Sequence, residues 1–219
     1  MKEIILSMIT AATYAVFLRN LLFSGGLGAS EVLRAAQRNS EILMSSLLVS
    51  LFSAAAAGLS HGASKLLAIS DSRLSLVLTP GQLEQMSSSY YARLSALYGG
   101  VLLALYLLTC GVIALLPHKI AHYKPLLLKR IGMSALNTIV MGVPLLAYNM
   151  GESPVNAIGM GLGAGVAFLV VTMLINSGLH ILQQNKAIPP MFTGVPAALI
   201  YTGLLALAFT GFSGKILFQ

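Results

Sequence analysis

The residues of this sequence best placed to do chemistry are polar side chains that interrupt apolar runs. Leu136-Asn137-Thr138-Ile139-Val140-Met141-Gly142 sets an amide and a hydroxyl inside a hydrophobic stretch and closes it with glycine. Near the start of the chain, Asn20-Leu21-Leu22-Phe23-Ser24-Gly25-Gly26-Leu27-Gly28-Ala29-Ser30 ends another hydrophobic segment with small and polar residues, at a similar place in the first half. In a bilayer, such groups and the backbone breaks that accompany them are tolerated only where protein or a water-filled cavity surrounds them. Interrupted segments at matching positions of two halves mark the binding region in inverted-repeat membrane proteins. Asn20, Ser30, Asn137 and Thr138 are therefore the candidate cavity-lining residues.

Other reactive residues form weaker patterns. A single cysteine, Cys110, excludes an intrachain disulfide and a multi-thiolate metal site built by this chain alone, and its place in Leu107-Leu108-Thr109-Cys110-Gly111-Val112 predicts a small buried apolar residue. His118 and His122 stand at i and i+4, a spacing that binds metal on a helix, but with no third ligand nearby they read as an interfacial polar pair. The glycines of Gly159-Met160-Gly161-Leu162-Gly163-Ala164-Gly165 imitate a phosphate-binding loop; without a preceding strand they read as close helix packing, as do Gly203, Gly211 and Gly214. Glu152 reads as a plain loop carboxylate. No buried acid pair and no nucleophile beside a base is present, so no catalytic residue and no metal site is assigned.

The elements that position these residues follow from composition. Of 219 residues 57% are hydrophobic and 9% charged, with mean hydropathy +0.85; an ordinary soluble domain carries about 25% charged residues. The class is an all-α integral membrane protein, with room for six spans of roughly 20 residues in a single membrane domain over 1–219. The spans read as about 4–23, 42–59, 94–116, 126–148, 155–182 and 194–217, the first retained rather than cleaved as a signal peptide. The second is expected inside the bundle because of its serines and its run Ala54 to Ala57. Arg19 and Asn20 either snorkel or face a cavity, with snorkelling the default. Glu31, Arg34, Arg38 and Glu41 form a polar connection with a short helical piece. Residues 60–91, with Pro80-Gly81 as a turn signal, read as the longest loop, containing an amphipathic piece around Leu74 to Leu78.

The net charge of +7 does not indicate nucleic acid, because Lys and Arg flank apolar runs instead of clustering on a basic face. Eight of them fall on the side of the loops after spans one, three and five, and five on the other side. This bias puts the odd loops in the cytoplasm and both termini outside.

With these residues in view, the chain resembles the Rnf/Nqr membrane-subunit family, specifically the RnfA/NqrE-type subunits of ion-translocating redox complexes. The resemblance rests on Pro190-Met191-Phe192-Thr193-Gly194-Val195-Pro196-Ala197-Ala198-Leu199-Ile200, on Gly203 to Phe209 and Gly211 to Gly214, on Gly161 to Gly165, on Asn137 with Val140-Met141-Gly142, and on Asn20 to Gly28. It implies six membrane helices in two inverted three-helix repeats, about 1–117 and 118–219, with the first and fourth helices interrupted. It also implies a bacterial cytoplasmic membrane, partners that include other redox-complex subunits plus a homologous membrane subunit, and family complexes that carry iron–sulfur clusters and flavins. In that family a cysteine stands on each interrupted helix and a cluster is shared between paired subunits. Here Ser30 and Thr138 occupy those positions, and hydroxyls are poor ligands for cluster iron. The expected role is a scaffold or ion-pathway subunit that binds no cofactor by itself. The alternative is a stand-alone inverted-repeat transporter or channel without redox chemistry.

Overall fold

A computed structural model describes residues 2–17, 20–37, 39–75, 80–115, 124–150, 153–185 and 189–212, and every regular element among them is helical. Arg19, Arg38, His118, His122, Glu152, Lys186 and Gly214 lie outside the described residues. The helices are α1 (Lys2–Phe17), α2 (Leu21–Gly25), α3 (Ala29–Ala36), α4 (Asn39–Ser75), α5 (Pro80–Leu115), α6 (Lys124–Ala135), α7 (Thr138–Asn149), α8 (Pro154–Gln184) and α9 (Val195–Phe212), with a 3-10 turn at Pro190–Phe192 before the last. Helix satisfies every backbone polar group within its own segment, which is what a chain this apolar needs in hydrocarbon.

Five stretches among the described residues are long and apolar enough to cross a membrane: Lys2–Phe23, Ser40–Lys65, Arg93–Leu115, Pro125–Asn149 and Pro154–Gln184. The sixth apolar helix, α9, has 18 residues, about 27 Å at 1.5 Å per residue, against a hydrocarbon core of about 30 Å. The chain is an all-α integral membrane protein.

The long loop expected over 60–91 is instead mostly helix. α4 continues to Ser75 and α5 starts at Pro80, leaving 76–79 between them. Residues 63–79 contain neither glycine nor proline, so nothing in the backbone stops α4 once it leaves the apolar zone. Pro80 opens α5, because at the first helical position its missing N–H costs nothing and its fixed φ suits the helix.

α8 is the central post, packed chiefly against α4 and α1, and its glycines make that possible. A Cβ on Gly159 would stand 2.6 Å from the Met8 carbonyl oxygen, and one on Gly163 would strike the Ala12 backbone. On the opposite face, a Cβ on Gly161 would stand 2.5 Å from Ala54 Cα, and one on Gly165 would strike Ser50. Numbers rise together along α1 and α8 and run in opposite senses along α4 and α8. α1 is therefore parallel to α8, and α4 antiparallel to it. The close-packing reading of these glycines holds. For Gly203 and Gly211 no such contact is made among the described residues, where nothing lies within 4 Å of a Cβ at either. α9 docks instead through Tyr201, which fills the space over Gly178, and through Phe209, whose ring lies 4.2 Å from that of Phe23.

Candidate functional site: the paired helix breaks

The first break lies between α1 and α2, and Asn20 holds it together. Its Nδ2 donates to the Val16 carbonyl at 3.0 Å, while its Oδ1 accepts from the amides of Leu22 at 3.1 Å and Phe23 at 3.4 Å. One buried side chain thus ties the end of α1 to the start of α2 and satisfies orphan groups at both. Snorkelling, the default reading for Asn20, is excluded by that burial. The chain then turns through Gly26 (φ 64) and Gly28 (φ 75), left-handed positions that suit glycine, and α3 begins.

The second break separates α6 from α7. Asn137 adopts the same extended backbone as Asn20 and uses its Oδ1 in the same way, accepting from the Ile139 amide at 3.1 Å. Asn137 is the central residue of the 25-residue apolar span Pro125–Asn149. The two breaks touch. Gly28 N–H donates to Thr138 Oγ1 at 2.7 Å, and a Cβ on Gly28 would lie 2.5 Å from Ile139 Cδ1 and 2.8 Å from Asn137 Oδ1. Gly28 is the residue that lets one break seat against the other.

The four candidate residues divide in two. Asn20 and Asn137 are buried, and Asn137 Nδ2 has no hydrogen-bond partner among the described residues. Ser30 and Thr138 lie beside the same junction but are exposed on the surface of the single chain. A cavity of about 10 Å³, the size of one water, lies between α2, α7 and α8; Asn20, Leu22, Ile139 and Met160 are among its lining residues, and Ser30, Asn137 and Thr138 are not.

Cys110 is half-buried on α5, so the fully buried setting expected for it is corrected. It belongs to another helix and takes no part in either break. Among the described residues no cluster of three His, Cys, Asp or Glu side chains is placed to hold a metal ion. The donors at the breaks are hydroxyls, amides and backbone N–H groups, with the Thr138 oxygen already accepting from Gly28. That donor set does not fit a thiolate-held iron–sulfur cluster.

Sequence reasoning missed the charges next to this junction. Glu31 and Arg34, read as part of a polar connection, lie on α3, where Glu31 Oε2 accepts from Arg34 Nη2 at 2.7 Å and from Nε at 3.0 Å. Glu41, in the first turn of α4, pairs with Arg130 of α6 at 3.8 Å. The missed signal was helical spacing: Ser30, Arg34 and Gln37 stand at i, i+4 and i+7, with the buried Val32, Ala35 and Ala36 on the other side of α3.

No family model matches the chain, but curated proteins do. It is 40% identical over 86 residues, 37% of this chain and 42% of the relative, to the A-type subunit of the proton-translocating ferredoxin:NAD(+) oxidoreductase complex of Clostridium ljungdahlii. Against the A-type subunit of the ion-translocating oxidoreductase complex of Actinobacillus pleuropneumoniae it is 33% identical over 116 residues, 51% and 60% of the two chains. Against the corresponding subunit of the Na(+)-translocating ferredoxin:NAD(+) oxidoreductase complex of Acetobacterium woodii it is 31% identical over 130 residues, 57% of this chain and 67% of the relative. The matches span about half the length of these relatives, from 42% to 67%.

Proposed function

The chain belongs to the RnfA/NqrE-type family of membrane subunits, and from that premise we propose that it is a membrane subunit of an ion-translocating electron-transport complex, serving as scaffold or ion pathway without iron–sulfur ligands of its own. The observation that carries the reading is the contact between the two breaks at the middle of the Pro125–Asn149 span, where Thr138 takes the Gly28 amide and two asparagines cap the half-helices. Irregular backbone at that depth is kept where it lines a cavity or a protein interface. Ser30, Thr138, Asn20 and Asn137 are the contacts through which the junction acts.

In the finer reading, α9 is a sixth crossing and the fold is two inverted three-helix repeats, about 1–117 and 118–219, in a bacterial cytoplasmic membrane with both termini outside. The matching use of Asn20 and Asn137 supports the repeat, and the parallel course of α1 and α8 supports an even number of crossings between their starts. The partners are flavin- and iron–sulfur-bearing subunits together with a homologous membrane subunit. Affinity purification of the tagged chain from its native membranes in mild detergent tests this: redox subunits should co-elute in fixed ratio, and a chain that elutes alone overturns it.

One observation favours a second reading, a stand-alone transporter or channel for a small solute or ion. The junction presents oxygen and amide groups, Thr138 Oγ1 and the Asn20 and Asn137 side chains, of the kind that coordinate a small polar solute or ion. Proteoliposomes of the chain alone would then show flux without an electron donor, and no flux across a broad ion and solute panel would remove it.

A further inference from the structure

Along α1, α7 and α8 acidic and basic side chains are absent from one half of the membrane-spanning part, where α4 and α5 carry His61, Lys65 and Arg93 only toward the ends of their spans. From the junction toward the Lys2 end of α1, residues 4–17 of α1, 138–149 of α7 and 154–165 of α8 contain no Asp, Glu, Lys, Arg or His. In the other direction stand Glu31, Arg34, Glu41 and Arg130. Their depth follows from α3, which starts beside Thr138 near the middle of the Pro125–Asn149 span and ends at Ala36, whose carbonyl accepts from Asn176 Nδ2 of α8. Eight residues rise about 12 Å at 1.5 Å each, short of the roughly 15 Å half-thickness of the hydrocarbon core. The turn between α3 and α4 therefore stops short of the end of α8, which climbs past Asn176 to Gln184.

Above that turn lies an open crevice of about 240 Å³, lined by Ala36, Gln37, Asn176, Leu179, His180 and Gln183. Its polar groups are amides and an imidazole. Gln184 Nε2 lies 3.0 Å from His180 Nδ1, so in the neutral ring this bond leaves the proton on Nε2 as a further donor. From the crevice a polar stripe descends one face of α3: Gln37, then Arg34 with its partner Glu31, then Ser30 at the junction. The Glu31 and Arg34 side chains keep 26% and 36% of their surface. A charge pair at this depth is expensive in lipid and stable beside water or protein.

We propose that the crevice and the polar face of α3 form an aqueous vestibule, open only on the side of the α3–α4 turn, that brings water and small water-borne cations down to the junction at mid-bilayer. The other half is sealed by the glycine-to-backbone packing of α1 and α4 against α8. The proposal deepens the ion-pathway reading by giving that pathway one entrance; it depends on the chain's own fold and not on its redox partners.

The test is thiol accessibility in native membranes, with Cys110→Ala as background. Single variants Gln37→Cys, Ser30→Cys and Thr138→Cys are exposed to a permanently charged methanethiosulfonate reagent on right-side-out and inverted vesicles. A thiol in hydrocarbon stays protonated and inert, so wetted positions should react about tenfold or more faster from the open side. Gln37→Cys identifies that side without any assumption about orientation. Ser30→Cys and Thr138→Cys should follow it, from the same side alone. Labelling of both from the opposite side, from both sides equally or from neither overturns the vestibule, and expression with normal detergent elution shows that each variant has folded. Failure of the subunit reading would appear separately, in the co-purification experiment, and would leave these rates unchanged.

Discussion

Gly161→Ala is the most direct probe of how the α8 post is built. The added Cβ would stand 2.5 Å from Ala54 N and Cα and 2.6 Å from the Ser53 carbonyl carbon, where ordinary contact begins at 3.4 Å. All three atoms are backbone, so no side chain can swing away and the two helices must separate locally by roughly 1 Å. Gly165 against Ser50 and Gly58 against Ile158 lie on the same seam and resist that movement. Overpacking of this kind costs about 1–3 kcal/mol, and alanine returns up to about 1 kcal/mol through helix propensity. The net expectation is a loss of about 1–2 kcal/mol, near a tenfold fall in the folding constant. Reversible unfolding of the purified protein by SDS in mixed micelles measures it, with Gly203→Ala as reference because no atom of the described residues lies within 4 Å of that Cβ. Gly203→Ala should leave the midpoint unchanged or raise it. Equal losses for the two variants, or none for Gly161→Ala, would refute the assignment of α8 as a tightly packed post.

The breaks give three further expectations. Asn20→Ala should destabilise more than Asn137→Ala, since the first removes three hydrogen bonds and the second removes one cap bond together with a buried Nδ2 that has no partner among the described residues; about 2 kcal/mol against 1 or less is expected, read by the same unfolding titration. Thr138→Val leaves the Gly28 amide without its acceptor and should speed hydrogen exchange at that amide about fivefold to 150-fold, as the loss of about 1–3 kcal/mol requires, whereas Thr138→Ser should not. Gly28→Ala combines positive φ with collisions against Ile139 and Asn137 Oδ1, so Ile139→Ala should recover only the Ile139 part of its steric cost and none of the backbone part.

Much of this was legible because each signal was local. Apolar runs with few charges marked the spans, and Asn20 and Asn137 marked the breaks, since an asparagine within an apolar run has few uses other than capping a helix that restarts. The alternation Gly159, Gly161, Gly163, Gly165 announced close helix packing, and the structure places it on both faces of α8. Signals that depend on depth were lost. Glu31, Arg34 and Glu41 look solvated in a linear sequence, and only the hydrogen bond between Gly28 and Thr138 reveals that α3 starts beside the middle of the Pro125–Asn149 span. Residues 60–91 misled for a related reason: outside the membrane a helix needs no apolar periodicity, so polar composition alone does not end it. Gly203 and Gly211 have the same composition signal as the α8 glycines but no neighbour among the described residues, because proximity is a tertiary property.

The parallel seating of α1 on α8 also dictates an order of assembly. Met8 meets Gly159 and Ala12 meets Gly163, each pair 151 residues apart. At ordinary synthesis rates of about 5–20 residues per second, the first helix waits roughly 8–30 s before its docking face emerges. For that interval α1 is a lone helix, with the seryl and threonyl hydroxyls Ser7, Thr10 and Thr13 turned back onto its own carbonyls. That self-sufficiency suits a segment inserted early and claimed late. Nascent chains halted before residue 154 should therefore leave α1 open to capture by the insertion machinery, whereas chains released beyond residue 165 carry the groove that retrieves it.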